Sequence, residues 1–260
     1  MRTNPVRDRL KGGGAAYGIM AAEFFTPGFC QIAANAGGEF VIFDMEHGGV
    51  GIDVIKAQIA FARGAGIAPF VRVPTLAYGW VAPVLDAGAM GIMAPMIETR
   101  DQAEKLANWC RYRPEGTRGV GFGVAHDDYA GGDVIEAMRL ENQRTLVIAL
   151  IETATGIANA DAILSVPGID VGWLGHYDLT NTMGMTAEFD RPEFHAAIDT
   201  WLAACRRHGA APGILASTVA VAQDWRRKGV RCLCYGVDIG VFQTALSMAL
   251  RTLRSDPASG

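Results

Sequence analysis

Short runs of apolar residues recur along this chain, separated by longer stretches that mix apolar and polar residues at helical spacing. The runs fall at 16–20, 40–44, 68–73, 91–94, 146–151, 171–174, 211–214 and 230–235. A strand with one wet face alternates apolar and polar residues; these runs are apolar on both faces, which suits a parallel sheet covered on both sides. Helix signals lie between them. Thr26-Pro27 reads as an N-cap followed by proline at the first helical position. Thr99 and Gln102 have the spacing of a capping box, and the stretch 191–208 stops at Gly209, a residue suited to a left-handed cap. Ser217 and Asp238 read as caps of the last two helices.

Eight strands alternating with helices make either a closed (β/α)8 barrel or an open doubly wound sheet. The chain has 260 residues, and one such barrel needs roughly 250. An open nucleotide-binding sheet carries its glycine-rich turn after the first strand, whereas Gly12-Gly13-Gly14 precede it. The expectation is a single α/β barrel domain over 1–260, with 1–14 a polar, flexible lead-in and 255–260 a frayed tail. The segment 112–142 is the longest interruption, and a connection of that length inside a domain is usually functional or mobile.

Composition narrows the function. The net charge is −4 and no long basic run occurs, which argues against a nucleic-acid partner. No unbroken apolar stretch reaches membrane-spanning length, and the first residues lack the apolar core of a secretory signal. A cytoplasmic protein is expected. Five scattered cysteines do not form a disulfide framework. Cys232 and Cys234, two apart in a strand, share one face and read as small core residues, without the second ligand pair of a structural zinc site.

Active sites of (β/α)8 barrels lie at the C-terminal ends of the strands. There the second run ends in Asp44, Glu46 and His47, the third in Arg72, the fifth in Glu152, and the sixth leads to His176 and Asp178; the helix after the third carries Asp86. Glu152 and Asp178 are two hard carboxylates suited to Mg²⁺ or Mn²⁺; a salt bridge or a helix cap is the alternative. Arg72 can hold a carboxylate or a developing enolate oxygen, or serve as a buried partner of Asp44 or Glu46, and the two roles are compatible. His47 can carry a proton near neutrality, with Asp44, Glu46 or Asp86 fixing its tautomer. His126, in the long connection, can reach a site, including one on a neighbouring subunit; His195 and His208 read as surface or packing residues.

Taken together, these stretches resemble the HpcH/HpaI aldolase family from about Pro27 to Asp238. The matching segments are Phe43-Asp44-Met45-Glu46-His47, Val71-Arg72-Val73-Pro74, Leu85-Asp86-Ala87-Gly88-Ala89 and Ala94-Pro95-Met96-Ile97-Glu98-Thr99. They continue with Tyr112-Arg113-Pro114-Glu115-Gly116-Thr117-Arg118-Gly119, Ile151-Glu152-Thr153, Pro167-Gly168-Ile169-Asp170 and Asp178-Leu179-Thr180. The resemblance implies a barrel of the phosphoenolpyruvate/pyruvate-binding type and a class II aldolase. Such an enzyme cleaves or forms 4-hydroxy-2-oxoacids from pyruvate, or a close 2-oxoacid, and an aldehyde through a metal-stabilised enolate. Glu152 and Asp178 match the metal ligands, for Mg²⁺ or Mn²⁺, with Co²⁺ or Zn²⁺ as alternatives. Arg72 matches the arginine at the pyruvate oxygen, His47 and Asp86 a proton-handling dyad, and Asp44 and Glu46 the polar residues behind them. Gly175, His176, Tyr177 and Asp178 match the turn that receives the carboxylate. Leu215, with Phe24 or Phe25, is placed at the aldehyde end. No lysine Schiff base is required.

The family also implies a homohexamer, a trimer of dimers that exchange helices, for which the apolar stretch 241–253 is a candidate. The chain departs from the common pattern at His176, where proline is usual, at Tyr177, where a smaller residue is common, and at Leu150, where glutamine is frequent. Alternative readings are a citrate-lyase-like acyl-CoA lyase, with Arg111, Arg113 and Arg118 for the CoA phosphates, another metal-enolate reaction such as decarboxylation, or a non-catalytic 2-oxoacid-binding barrel.

Overall fold

The computed structural model describes residues 1–255, so 256–260 of the expected frayed tail lie outside the described residues. In chain order the elements are α1 (Pro5–Lys11), β1 (Ala16–Ala21), α2 (Phe29–Asn35), β2 (Phe40–Asp44), α3 (Ile52–Ala65), β3 (Ala68–Arg72) and α4 (Tyr78–Asp86). Then come β4 (Gly91–Ala94), α5 (Arg100–Trp109), α6 (Val134–Arg144), β5 (Leu146–Ile151), α7 (Ala154–Ala158), α8 (Ala160–Leu164), β6 (Val171–Leu174) and α9 (His176–Thr182). The chain continues through α10 (Pro192–His208), β7 (Ala211–Ala216), α11 (Val219–Arg227), β8 (Cys232–Val237) and α12 (Asp238–Arg254). The eight strands pair in parallel in sequence order and β8 returns to β1, closing the barrel.

Period-two alternation sorts the strand side chains into two cores. Phe40 and Ile42, Ala68 and Phe70, Leu146, Ile148 and Leu150, Val171 and Trp173, and Cys232 and Cys234 fill the barrel interior. Their neighbours Val41, Phe43, Val71, Ile92, Val147, Ala149, Ile151 and Leu174 pack outward with the helices. Phe40 and Phe70 stack across β2 and β3 with ring centroids 5.2 Å apart. Both faces of the sheet are therefore apolar, as the continuous runs in the sequence require.

The first fourteen residues depart from the expected flexible lead-in. Asn4 caps α1 by accepting from the Arg7 N–H, Pro5 stands at its start, and Val6 and Leu10, four apart, bury themselves in the interior core. The Asn4 side-chain amide donates to the Met90 carbonyl at 2.9 Å and the Arg144 carbonyl at 3.0 Å. Those residues lie one and two positions before β4 and β5, so α1 closes the N-terminal end of the barrel.

Other differences are local. Gly28, not Thr26, precedes α2 as its cap; the Thr26 carbonyl accepts from Phe29 N–H instead. Thr218, not Ser217, caps α11. Asp238 lies inside α12, and its buried carboxylate accepts from the Ala22, Glu23, Phe24 and Ile239 N–H groups, tying the loop after β1 to the last helix. The Thr99–Gln102 capping box and the left-handed Gly209 cap (φ 73°) form as expected. The long interruption ends in helix, because Asp133 caps α6 through the Glu136 N–H. Beyond Val241, α12 is exposed along its length, and Phe242, Leu246, Met248 and Leu250 lie on its surface. Among the described residues no helix is long and apolar enough to cross a membrane.

Candidate active site

The inward series Phe40–Ile42, Ala68–Phe70 and Leu146–Ile148–Leu150 each reach one polar residue at the C-terminal mouth: Asp44, Arg72 and Glu152. Asp44 and Arg72 are register partners on β2 and β3. The guanidinium grips the carboxylate with two prongs, Nε to Oδ1 at 2.8 Å and Nη2 to Oδ2 at 2.6 Å. Its third nitrogen, Nη1, lies 3.1 Å from Glu46 Oε2. Asp44 Oδ1 also accepts the N–H groups of Glu46 (3.0 Å) and His47 (3.3 Å), so one buried carboxylate fixes both the arginine and the turn that presents His47. Burial works against the Arg72 charge, but the hydrogen bond and charge of Asp44, joined by Glu46 and Glu152, outweigh it and raise its pKa.

Glu152 follows β5 directly and is almost fully buried. Its Oε1 accepts the Met96 N–H at 2.8 Å. Met96 holds a left-handed backbone (φ 56°), uncommon for a non-glycine residue, and that conformation aims its amide at the carboxylate. Burial pushes the Glu152 carboxyl up to about 7, with the charges of Glu46 and Asp178 adding to the rise, while the Met96 amide and Arg72 oppose it. The Glu46 carboxyl is likewise raised, first by burial, then by Asp44 and Asp178, against Arg72 and His47. Gly175 packs so closely on Glu152 that an added Cβ would stand 2.5 Å from both Glu152 Cβ and Oε2; only glycine fits.

Glu46 and Asp178 thus raise the cost of ionising Glu152, and Asp178 adds to that of Glu46, around an arginine already paired with Asp44. That surplus of negative charge in an all-oxygen donor set, with Glu152 buried and Asp178 open to solvent, fits a divalent cation. Among the described residues no group of three or more His, Cys, Asp or Glu side chains gathers to hold an ion alone. Glu152 and Asp178 would supply two ligands, and water and substrate oxygens the rest.

Asp178 sits in the first turn of α9, with Gly175 just before the helix. The two unusual residues there build an aromatic cluster. The His176 ring lies 4.7 Å from Tyr177 and 5.4 Å from Phe189, and Tyr177 meets Phe189 edge-on at 5.2 Å. Burial lowers the His176 pKa, opposed by Asp178. Leu150, beneath Glu152 on the inward face, is buried in register with Trp173. Leu215 lines a cavity of about 440 Å³ along α12, with Tyr235, Val237 and Met248. Phe24 packs edge-on to Phe242 of α12, and Phe25 rests on the outer core.

Asp86 is not brought to this group within one copy of the chain. It ends α4, shortly before β4 begins, and its Oδ1 accepts from Arg118 Nη2 at 2.6 Å. It lines a cavity of about 410 Å³ between α3, α4 and the long connection, with Lys56, Pro83, Val124 and Tyr129. His126 is fully buried, with Nε2 2.6 Å from the Gly121 carbonyl, and packs the connection rather than reaching a site. His195 is exposed on α10, and His208 pairs with Asp161. Arg111 and Arg118 are buried against Asp170 and against Asp86 and Glu141, which removes two of the three arginines considered for CoA phosphates. All five cysteines are buried thiols.

A family model described as HpcH/HpaI aldolase/citrate lyase matches residues 22–245. The chain belongs to this family. It is therefore an enzyme of the aldolase, carbon–carbon lyase class, and its closed barrel is the (β/α)8 fold expected from the strand pattern. The hydroxypyruvate/pyruvate aldolase of Roseovarius nubinhibens is 31% identical over 98% of each chain. The 2-keto-3-deoxy-L-rhamnonate aldolase of Shigella sonnei is 31% identical over 97% of this chain and 94% of its own. The crystal structure of an HpcH/HpaI aldolase from Desulfitobacterium hafniense superposes with a TM-score of 0.92 at 26% identity, covering 98% of both chains.

In this HpcH/HpaI barrel, Lys11, Lys56, Lys105 and Lys228 all lie off the strands. Met96 is the site residue that sequence reasoning missed. It contributes through its backbone, which residue type does not reveal; its place inside the matching segment Ala94–Thr99 was the only signal.

Proposed function

We propose that this enzyme is a divalent-metal-dependent aldolase that cleaves or forms 4-hydroxy-2-oxoacids, with pyruvate or a close 2-oxoacid on one side of the bond and an aldehyde on the other. The carrying observation is the buried Glu152 carboxyl, raised beside Glu46 and Asp178 and facing Arg72 across the barrel mouth. That Arg72 acts on Glu152 and that both relatives act on 2-oxoacids by name support the same substrate class.

A divalent cation held by Glu152 and Asp178 would place positive charge against the 2-oxo and carboxylate oxygens of the substrate. Arg72 adds a fixed guanidinium where negative charge develops on the 2-oxo oxygen as the C3–C4 bond breaks. Asp44 prevents that guanidinium from rotating away. His47, on the turn that Asp44 secures, accepts the proton of the C4 hydroxyl through a water, and C4 leaves as the aldehyde. Protonation at C3 then gives pyruvate, and the reverse sequence forms the bond. Gly175, His176, Tyr177 and Asp178 form the turn that receives the carboxylate.

Asp86, assigned with His47 to proton handling, faces a groove outside its own barrel, so we assign it to the site of a second copy. The exposed apolar face of α12 supports a homohexamer built from dimers that exchange this helix, with Leu215 and Phe24 lining the aldehyde end beside it. An acyl-CoA substrate is disfavoured by the buried pairing of Arg111 and Arg118.

Enolate formation can be tested without knowing the aldehyde. Pyruvate incubated in D2O with enzyme and Mg²⁺ should lose its methyl signal by proton NMR, and Glu152→Gln should abolish the exchange. Saturable pyruvate binding with no exchange would overturn the aldolase reading in favour of a binding protein.

A further inference from the structure

Asp86 is the end of a buried chain of charges. Its side chain is 41% exposed, whereas the side chain of Arg118, its partner, is wholly buried. The other guanidinium nitrogen, Nη1, donates to Glu141 Oε2 at 2.9 Å, and the Glu141 side chain is equally buried. The guanidinium lies over the Tyr112 ring, 4.6 Å from its centroid. Behind it Glu141 pairs with Arg144, and His126 Nδ1 stands 3.7 Å from Glu141 Oε1. Burial penalises the Glu141 charge, yet the charges of Arg144 and Arg118 and the nearby His126 ring outweigh it and lower its pKa.

Desolvating this many charges is costly, and a stabilising role alone is served as well by apolar packing. What the arrangement provides is direction. Arg118 is stacked on one face and anchored through Nη1, so in that fixed plane Nη2 has a single place to point. That place is the half-exposed carboxylate of Asp86, on the wall of the cavity it shares with Lys56 and Tyr129.

We propose that Arg118, braced by Glu141, is a positioning residue that fixes the Asp86 carboxylate in the orientation needed to act at the His47 turn of a second copy. The inference rests on the Asp86 assignment made above. Arginine is required because two nitrogens of one rigid plane reach two carboxylates; lysine keeps the charge opposite Glu141 but presents it from a single point.

The test is steady-state retro-aldol kinetics on the intact, metal-loaded oligomer, comparing wild type, Asp86→Asn, Arg118→Lys and the double variant, with melting temperature and oligomeric state recorded for each. Misplacing a catalytic group by about 1 Å can cost on the order of a hundredfold in rate. Arg118→Lys should accordingly lower kcat by at least about tenfold while KM for the oxoacid stays within about twofold. In the Asp86→Asn background the same substitution should cost nothing more. If Arg118→Lys does not fold, the pair Arg118→Gln with Glu141→Gln, which removes both buried charges together, should give the same non-additive loss. Losses that multiply in the double variant, or a normal kcat in Arg118→Lys beside an impaired Asp86→Asn, overturn the positioning role alone. A wild-type kcat in Asp86→Asn overturns the Asp86 assignment itself, and this inference with it.

Discussion

Glu152→Gln should stabilise the metal-free protein at pH 8 and remove its response to metal. The Glu152 carboxyl titrates at about 7 in the fold against 4.5 in the unfolded chain, because burial and neighbouring carboxylates disfavour its charge. A group whose pKa is raised on folding contributes its stability fully below the unfolded value, and that contribution is lost as pH rises through the folded one. At pH 8 the ionised side chain therefore costs the fold on the order of 3 kcal/mol relative to pH 4, from about 1.4 kcal/mol per pKa unit. Glutamine keeps the oxygen that accepts the Met96 N–H and turns a carboxylate oxygen into a donor beside Glu46 and Asp178. In a domain of this size about 1 kcal/mol moves the melting temperature by roughly 2–4 °C. In chelator the variant should melt several degrees above wild type at pH 8 and level with it near pH 4–5. Added Mn²⁺ reverses the order: a ligand at a thousand times its Kd stabilises the binder by about 4 kcal/mol and leaves the variant unmoved. Scanning calorimetry at fixed protein concentration, at both pH values and with and without metal, reads all four conditions. A variant less stable than wild type in chelator at pH 8, or one that gains as much from Mn²⁺, would refute the reasoning.

Arg72→Lys keeps the charge but loses the two-pronged grip on Asp44, and kcat/KM for cleavage should fall by about a hundredfold, as loss of an oxyanion donor does; an unchanged value would remove Arg72 from the reaction. Inactive Asp86→Asn and Glu152→Gln chains, mixed, denatured and refolded together, should regain activity at about a quarter of their sites if each site takes Asp86 from another copy in a symmetric assembly. No recovery would place the whole site within one chain. Phe242→Glu with Leu246→Glu on the exposed face of α12 should dissociate the oligomer in sedimentation velocity and abolish cleavage with it, whereas an unaltered sedimentation coefficient would show that α12 is not the interface.

Much of the barrel mouth was legible in the sequence because strand alternation is strict. Asp44, Arg72 and Glu152 each follow an apolar residue two positions earlier on the inward face, so knowing the strands fixes where those side chains converge. The strands themselves were legible because both their faces are buried. Asp86 was not: its position after β3 suggested the same rim, whereas α4 carries it out to the barrel wall before β4 begins. The helix α1 escaped because seven residues give too little periodicity to set against three following glycines, although Asn4-Pro5 and the Val6–Leu10 pair are its full specification. The caps at Gly28 and Thr218 differ from Thr26 and Ser217 by the one or two residues over which local propensity is indifferent. His126 read as a candidate from its chemistry and is a packing residue because the connection folds back on itself, burying the ring beside Tyr112 and Phe122 with Nε2 on the Gly121 carbonyl.

Metal-dependent pyruvate release is the most direct test of the proposed reaction. The chelated enzyme, offered a panel of 4-hydroxy-2-oxoacids and coupled to NADH oxidation by lactate dehydrogenase, should release no pyruvate. Restoring Mg²⁺ or Mn²⁺ should start release in wild type and leave Glu152→Gln and Asp178→Ala silent. Undiminished release in excess chelator would contradict a metal-dependent aldolase.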